Sequence, residues 1–214
     1  MNILSKPLTA LVLLAGMGLA PTAQASLIPK LGGTVVYDSV RNITWSANAN
    51  LAGTTMNWTA ATAWAANLVY AGFDDWRLPT ALNADLTGPC SGYNCTSSEL
   101  GNMFYGDINH GLGGKAGVSI GTTHNANFNL FSNIRNSEYW SGTEFAPHPN
   151  AWDFNTYNGY HYSNHKNHNY YGWAVHSGDV AAVPEPEEYM MMLLGFGMVG
   201  YHIKRKQRKA ASAK

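Results

Sequence analysis

The chain has 214 residues, 45% hydrophobic and 12% charged, with 13 basic and 13 acidic side chains that cancel. That length fits one domain flanked by targeting segments, and the charge balance gives no electrostatic case for nucleic-acid binding. Two cysteines cannot by themselves make a four-ligand zinc site.

At the N-terminus, Lys6 gives a modest positive region and Leu8 to Leu19 form a short apolar run. Pro21 breaks that run, and Ala23-Gln24-Ala25 supplies small residues where a signal peptidase would cut. Residues 1–25 therefore read as a cleaved secretory signal, with Ser26 as the mature N-terminus and residues 26–183 as one exported domain.

The composition of that domain constrains its build. It holds seven Trp, ten Tyr and six Phe, together with seventeen Gly and twenty Asn. Large rings bury much area each, while Gly and Asn supply turns and left-handed backbone. The mixture predicts a loop-rich fold with an aromatic core and argues against a helical bundle.

Short strand-like runs are predicted at 34–37 and 43–45, joined by Asp38-Ser39-Val40-Arg41-Asn42 as the connection of a hairpin. A helix is predicted from Asn57 to Tyr70, with Trp58, Ala61, Ala65 and Leu68 at helical spacing and Gly72 placed to end it. Thr96-Ser97-Ser98-Glu99 has capping-box spacing, and Leu100, Met103 and Phe104 give a second helix an apolar face before Gly106. Residues 106–129 read as a long surface loop. Further strands are expected at 139–141, 151–154 and 171–175.

Cys90 and Cys95 are the two cysteines of the chain, in a compartment where disulfides persist. Four flexible residues separate them, and a small disulfide ring is expected. Arg77 is expected to pair with Asp74, Asp75 or Glu99, and the tryptophans are expected to lie mostly in the core. His161, His165 and His168, flanked by His148 and His176, would converge on a helix and could hold a metal. Their segment is rich in Asn, Gly and Tyr, which favours a hairpin loop with solvated imidazoles. No metal or other cofactor is therefore expected, and these three histidines stand as the metal candidates.

The order Tyr37-Asp38, Asn42-Ile43-Thr44-Trp45, Ala49-Asn50-Leu51, Asp75-Trp76-Arg77-Leu78-Pro79-Thr80, Ser98-Glu99-Leu100, Tyr139-Trp140-Ser141 and Trp173-Ala174-Val175 resembles the Lcl C-terminal-like domain, from about residue 34 to 180. The resemblance implies an α+β fold that is C-type-lectin-like and related to the formylglycine-generating enzymes, with two helices and short antiparallel strands. Relatives on that scaffold include enzymes, adhesins and polysaccharide-binding modules, so the fold leaves the activity open. The chain has no G-x-S-x-G elbow, Walker loop or H-E-x-x-H motif. Asp38, Glu99, Asp153 and Asp179 are scattered along it, and no catalytic residue is expected.

The neutral total conceals opposed parts. From Ser26 to Glu188 six basic residues face thirteen acidic ones, a net charge of −7, and the segment after Ile203 carries six basic residues and no acidic one. Residues 184–209 combine a Pro-Glu-Pro motif, an apolar stretch from Tyr189 to Ile203 and a Lys/Arg run. At about 1.5 Å per residue that stretch covers roughly 22 Å of a ~30 Å hydrocarbon core. Positive charge beside it places the tail in the cytoplasm and the acidic domain outside. Val183-Pro184-Glu185-Pro186 with the following apolar and basic parts resembles a PEP-CTERM sorting signal. The resemblance implies cleavage by an exosortase and display in an exopolysaccharide layer. The expected partners are signal peptidase, exosortase, the inner membrane and exopolysaccharide. A non-catalytic binding or scaffolding role is the leading expectation, and an enzyme acting on polysaccharide or protein is the alternative.

Overall fold

The computed structural model describes residues 26–180, together with Leu194 and Phe196. The expected secretory signal, the Val183–Pro186 motif, the basic tail and all of the apolar stretch except those two residues lie outside the described residues. Among the described residues, no helix is long and apolar enough to cross a membrane.

Among residues 26–180, two antiparallel sheets, two α-helices and two short 3-10 helices make a mixed α+β fold in which loops form much of the chain. The first sheet contains β1 (Leu27–Lys30), β2 (Val35–Asp38), β3 (Ile43–Ser46) and β7 (Val175–Ser177), in the order β1-β2-β3-β7. The second contains β4 (Glu138–Phe145), β5 (Asn150–Asn155) and β6 (Tyr160–His165), in that order. The β2–β3 hairpin closes as the residue pattern predicts. Asp38 Oδ1 accepts hydrogen bonds from the backbone N–H of Val40 and Arg41, and Asn42 takes the left-handed φ of 51°.

Helix α1 (Trp58–Ala66) is shorter than the sequence pattern suggests. Asn57 caps it by accepting from Ala60 N–H, and Asn67 ends it. The next residues form a separate tight turn, with paired Tyr70–Phe73 backbone bonds across the left-handed Ala71 and Gly72. Helix α2 (Glu99–Tyr105) also departs from expectation at its start. Its cap is Ser98, which accepts from Gly101 N–H, so Thr96 is outside the helix and no reciprocal capping box forms. The Glu99 carboxylate turns elsewhere. Its oxygens accept from both terminal nitrogens of Arg77 at 2.7 and 2.8 Å and from Thr80 N–H at 2.7 Å. Of the three acidic partners expected for Arg77, Glu99 is the one that binds it. Arg77 also exchanges backbone bonds with Val175, so this ion pair ties α2 to the first sheet.

The main core lies between the sheets and α2. Trp45 and Trp173 meet edge to face at 4.9 Å, and Trp173 Nε1 donates to the Ser46 carbonyl. Phe131, Tyr139, Met103, Phe104 and Phe154 complete this region. A second cluster sets Ala61 and Ala65 of α1 against Leu78, Trp140 and Ala151, with Trp58, Trp64 and Tyr170 at its margin. The segment expected to be a surface loop is irregular, but it enters the core. Leu112 and Ile120 are buried, their N–H groups donate to the Met103 and Thr156 carbonyls, and Gly106 and Gly111 pass so closely that a side chain on either would collide with the other.

Candidate functional site

The second sheet carries the candidate site, and strand periodicity explains how. Along β5 the side chains of Ala151, Asp153 and Asn155 share one face. By register they stand beside Trp140 and Glu138 of β4 and beside Tyr160, Tyr162 and Asn164 of β6. The small residues of α1 cover the part of this face that bears Trp140 and Ala151. The remainder forms a cleft of about 360 Å³ lined by Glu138, Asp153, Asn155, Asn158, Tyr160, Tyr162 and Asn164.

The polar groups of the cleft are held by one another. Asn155 Nδ2 donates to Glu138 Oε1 at 2.9 Å, and the Ser137 hydroxyl donates to Oε2 at 3.1 Å. Asn164 Nδ2 donates to Asp153 Oδ2 at 2.9 Å. Asn158 and Asn155 shape the β5–β6 turn by accepting from the N–H groups of Tyr160 and Tyr157. Glu138 and Asp153 are diagonal neighbours on adjacent strands, a separation of about 7–8 Å in an antiparallel pair. Asp153 is 1% exposed. Burial pushes its carboxyl up to about 7 and the Glu138 charge adds to the rise, against the Asn164 hydrogen bond. Burial, then the same two carboxylates, push the Tyr170 hydroxyl up to about 12. The site can offer flat rings, amide donors, a carboxylate acceptor and a carboxyl that exchanges a proton near neutrality.

The histidine segment is a strand from Tyr160 to His165, which corrects the solvated-loop expectation for His161, while His165 and His168 are exposed as expected. His161 points inward from β6 and is 1% exposed, with its ring 5.2 Å from that of Trp152 and 5.8 Å from that of Phe154. Burial pulls its imidazole down to about 4. His165 sits exposed at the end of β6, and His168 stacks on Tyr170 in the following turn. Helical spacing would have gathered the three rings, and the strand disperses them. Among the described residues no group of three or more His, Cys, Asp or Glu side chains could hold a metal. His148 stacks on Phe145, and His176 packs edge-on against Trp76.

Cys90 and Cys95 are joined by a disulfide, with 5.6 Å between their Cα atoms. Trp45, Trp76, Trp140 and Trp173 are almost completely buried, so the rings that face solvent around the cleft are tyrosines. Sequence reasoning noticed Asp153 but missed its partner Glu138 and the two tyrosines of β6. The alternation of inward His161 with outward Tyr160 and Tyr162 is a period of two, and reading it as such would have revealed the strand.

No curated protein matches this chain. The family model described as the Lcl C-terminal domain matches residues 34–176, which run from the start of the β2 region into β7. The chain belongs to the Lcl C-terminal domain family.

Proposed function

We propose that this is an exported surface or extracellular-matrix protein, sorted by an exosortase, whose domain binds exopolysaccharide without transforming it. In this reading the domain has the C-type-lectin-like scaffold shared with formylglycine-generating enzymes. The observation that carries the binding role is the cleft itself. Tyrosine rings, asparagine amides and two carboxyl groups converge there, and none of the described residues that line it is basic. Sugars combine apolar ring faces with many hydroxyl groups, and this set answers both features. An acidic domain lacking basic groups at the site repels uronate-rich or sulfated polymers, which leaves neutral ones as the fitting class. The sorting role rests on the three-part C-terminal signal, and the disulfide accords with an oxidising compartment.

A glycan array probed with the purified chain tests the binding role. Retention of neutral polysaccharides that is lost in Tyr162→Ala is the expected result, and no retention above a denatured control rejects the role. Mass spectrometry of the mature protein tests the sorting role. An N-terminus at Ser26 and a C-terminus trimmed near Pro184–Pro186 are expected, whereas an untrimmed cytosolic chain rejects it.

One observation favours the enzymatic alternative. Asp153 has the raised proton affinity of a general acid, and Glu138 lies beside it. That alternative requires release of product from a bound polymer, abolished by Asp153→Asn with binding retained. Intact ligand after prolonged incubation at neutral pH supports the binding module.

A further inference from the structure

The Cys90–Cys95 ring lies against the same strand that supplies the tyrosines of the cleft. Within it Gly92 has a φ of 104° and Asn94 a φ of 59°, backbone states that let a four-residue segment turn sharply. The ring is pinned at several points. Gly92 N–H donates to the His161 carbonyl at 2.8 Å, and His161 N–H donates back to the Gly92 carbonyl at 2.9 Å. Asn94 N–H donates to the Tyr105 hydroxyl at 3.1 Å, and that hydroxyl donates to the Gly159 carbonyl at 2.7 Å. Cys95 is buried just ahead of α2.

What this anchoring presents is Tyr93. Its ring meets Tyr160 edge to face at 4.8 Å, and Tyr160 in turn lies 6.0 Å from Tyr162. Tyr93 remains 46% exposed and Tyr162 51%, so the row keeps accessible ring surface at both ends. A large ring left half exposed on a flexible tetrapeptide would lose considerable entropy on meeting a ligand. Held by a covalent ring and three hydrogen bonds, it has already lost that freedom.

We propose that the disulfide ring is the outer wall of the cleft, and that Tyr93, Tyr160 and Tyr162 form one stacking row for several consecutive units of a neutral polysaccharide. This inference rests on the polysaccharide-binding reading above and adds the ligand's length and the role of the disulfide. Tyr93 is a contact residue in it, and Cys90 and Cys95 are positioning residues. A dimer covers Tyr160 and Tyr162, one unit on each ring, while a longer chain engages Tyr93 as well.

Calorimetry on the full chain, with dimers and hexamers of cello-, laminari- and N-acetylated chito-oligosaccharides as probes, tests the proposal. Wild type is expected to bind a hexamer at least tenfold more tightly than its dimer. Tyr93→Ala is expected to weaken the hexamer about tenfold, the scale of one aromatic contact residue, and to leave the dimer unchanged. Tyr93→Phe should retain the preference. The Cys90→Ser, Cys95→Ser double variant should lose as much as Tyr93→Ala, and the triple variant should lose no more. Equal hexamer affinity in wild type and Tyr93→Ala, both folded by circular dichroism, overturns the proposal and leaves the cleft as a sugar site. A wild type that binds no hexamer overturns the polysaccharide reading and this extension together.

Discussion

The two sheets use the same strand geometry to opposite ends. In the first, every residue of β3 is buried and Trp45 presses on Trp173 beneath it. In the second, β5 is equally buried at its centre, but β6 turns Tyr162 and Asn164 toward open space. The difference lies in what covers each face. α1 brings alanines that fit closely over Trp140 and Ala151 and covers no more of the face, so Asp153 and Glu138 are left at the margin of the covered region. Incomplete coverage of the second sheet is how this fold makes a cleft.

The fully covered sheet is where a single substitution should do most damage. Trp173→Ala should cost about 4 kcal/mol of unfolding free energy, the usual scale for emptying a buried aromatic site. Urea unfolding measures it, and a loss below about 1 kcal/mol would mean that the first sheet is not the stability centre. Next in size is Glu99→Ala, which strands Arg77 and the Thr80 N–H. With the arginine side chain 37% exposed, we expect roughly 2 kcal/mol, below the 3–5 kcal/mol of a fully buried pair.

Two buried ionisable groups give the second sheet opposed responses to pH. Asp153 sits at about 7 against an ordinary 3.8, so its contribution is fully present below about pH 4 and is lost as pH rises through 7. His161 sits at about 4 against an ordinary 6.5, so its contribution is present above pH 6.5 and is lost as pH falls through 4. The two oppose each other across pH 4–7. Asp153→Asn should therefore melt lower as the solution is acidified from pH 7 to 4, and His161→Phe should melt lower as pH rises over that interval. Shifts on the order of 5–10 °C are expected by calorimetry, and two variants that both track the wild-type profile would refute the opposition. The smallest effect belongs to Tyr162→Ala. Stability should change by no more than about 0.5 kcal/mol, as at other exposed positions, while glycan retention disappears.

In the first sheet the β2–β3 hairpin can be read directly from residues, whereas β1 is not expected and the strand expected at 171–175 meets β7 only at Val175. Asp38 and Asn42 announce a turn, and Ile43 to Trp45 announce a strand, because both signals are local. In the second sheet the strands expected at 139–141 and 151–154 fall within β4 and β5, but β6 and the pairing that builds the cleft are not foreseen, because their signals are not local. Glu138 and Asp153 become neighbours through strand register, which no short motif encodes. β6 carries Tyr, His, Ser and Asn where a strand usually shows apolar residues, and His161 is buried through contacts with Trp152 and Phe154 that its flanking residues do not announce. Thr96 to Glu99 fits a capping box by spacing, yet Glu99 binds Arg77 from a distant segment, and the tertiary ion pair outweighed the local cap.

The Gly92–His161 backbone pair also guards a border. β6 is the terminal strand of its sheet, and an uncovered terminal strand can template the addition of another chain. The small loop occupies that border at His161, so a second molecule cannot extend the sheet past this point. The domain is thereby shielded, at this point of its edge, from strand-against-strand pairing with a second copy.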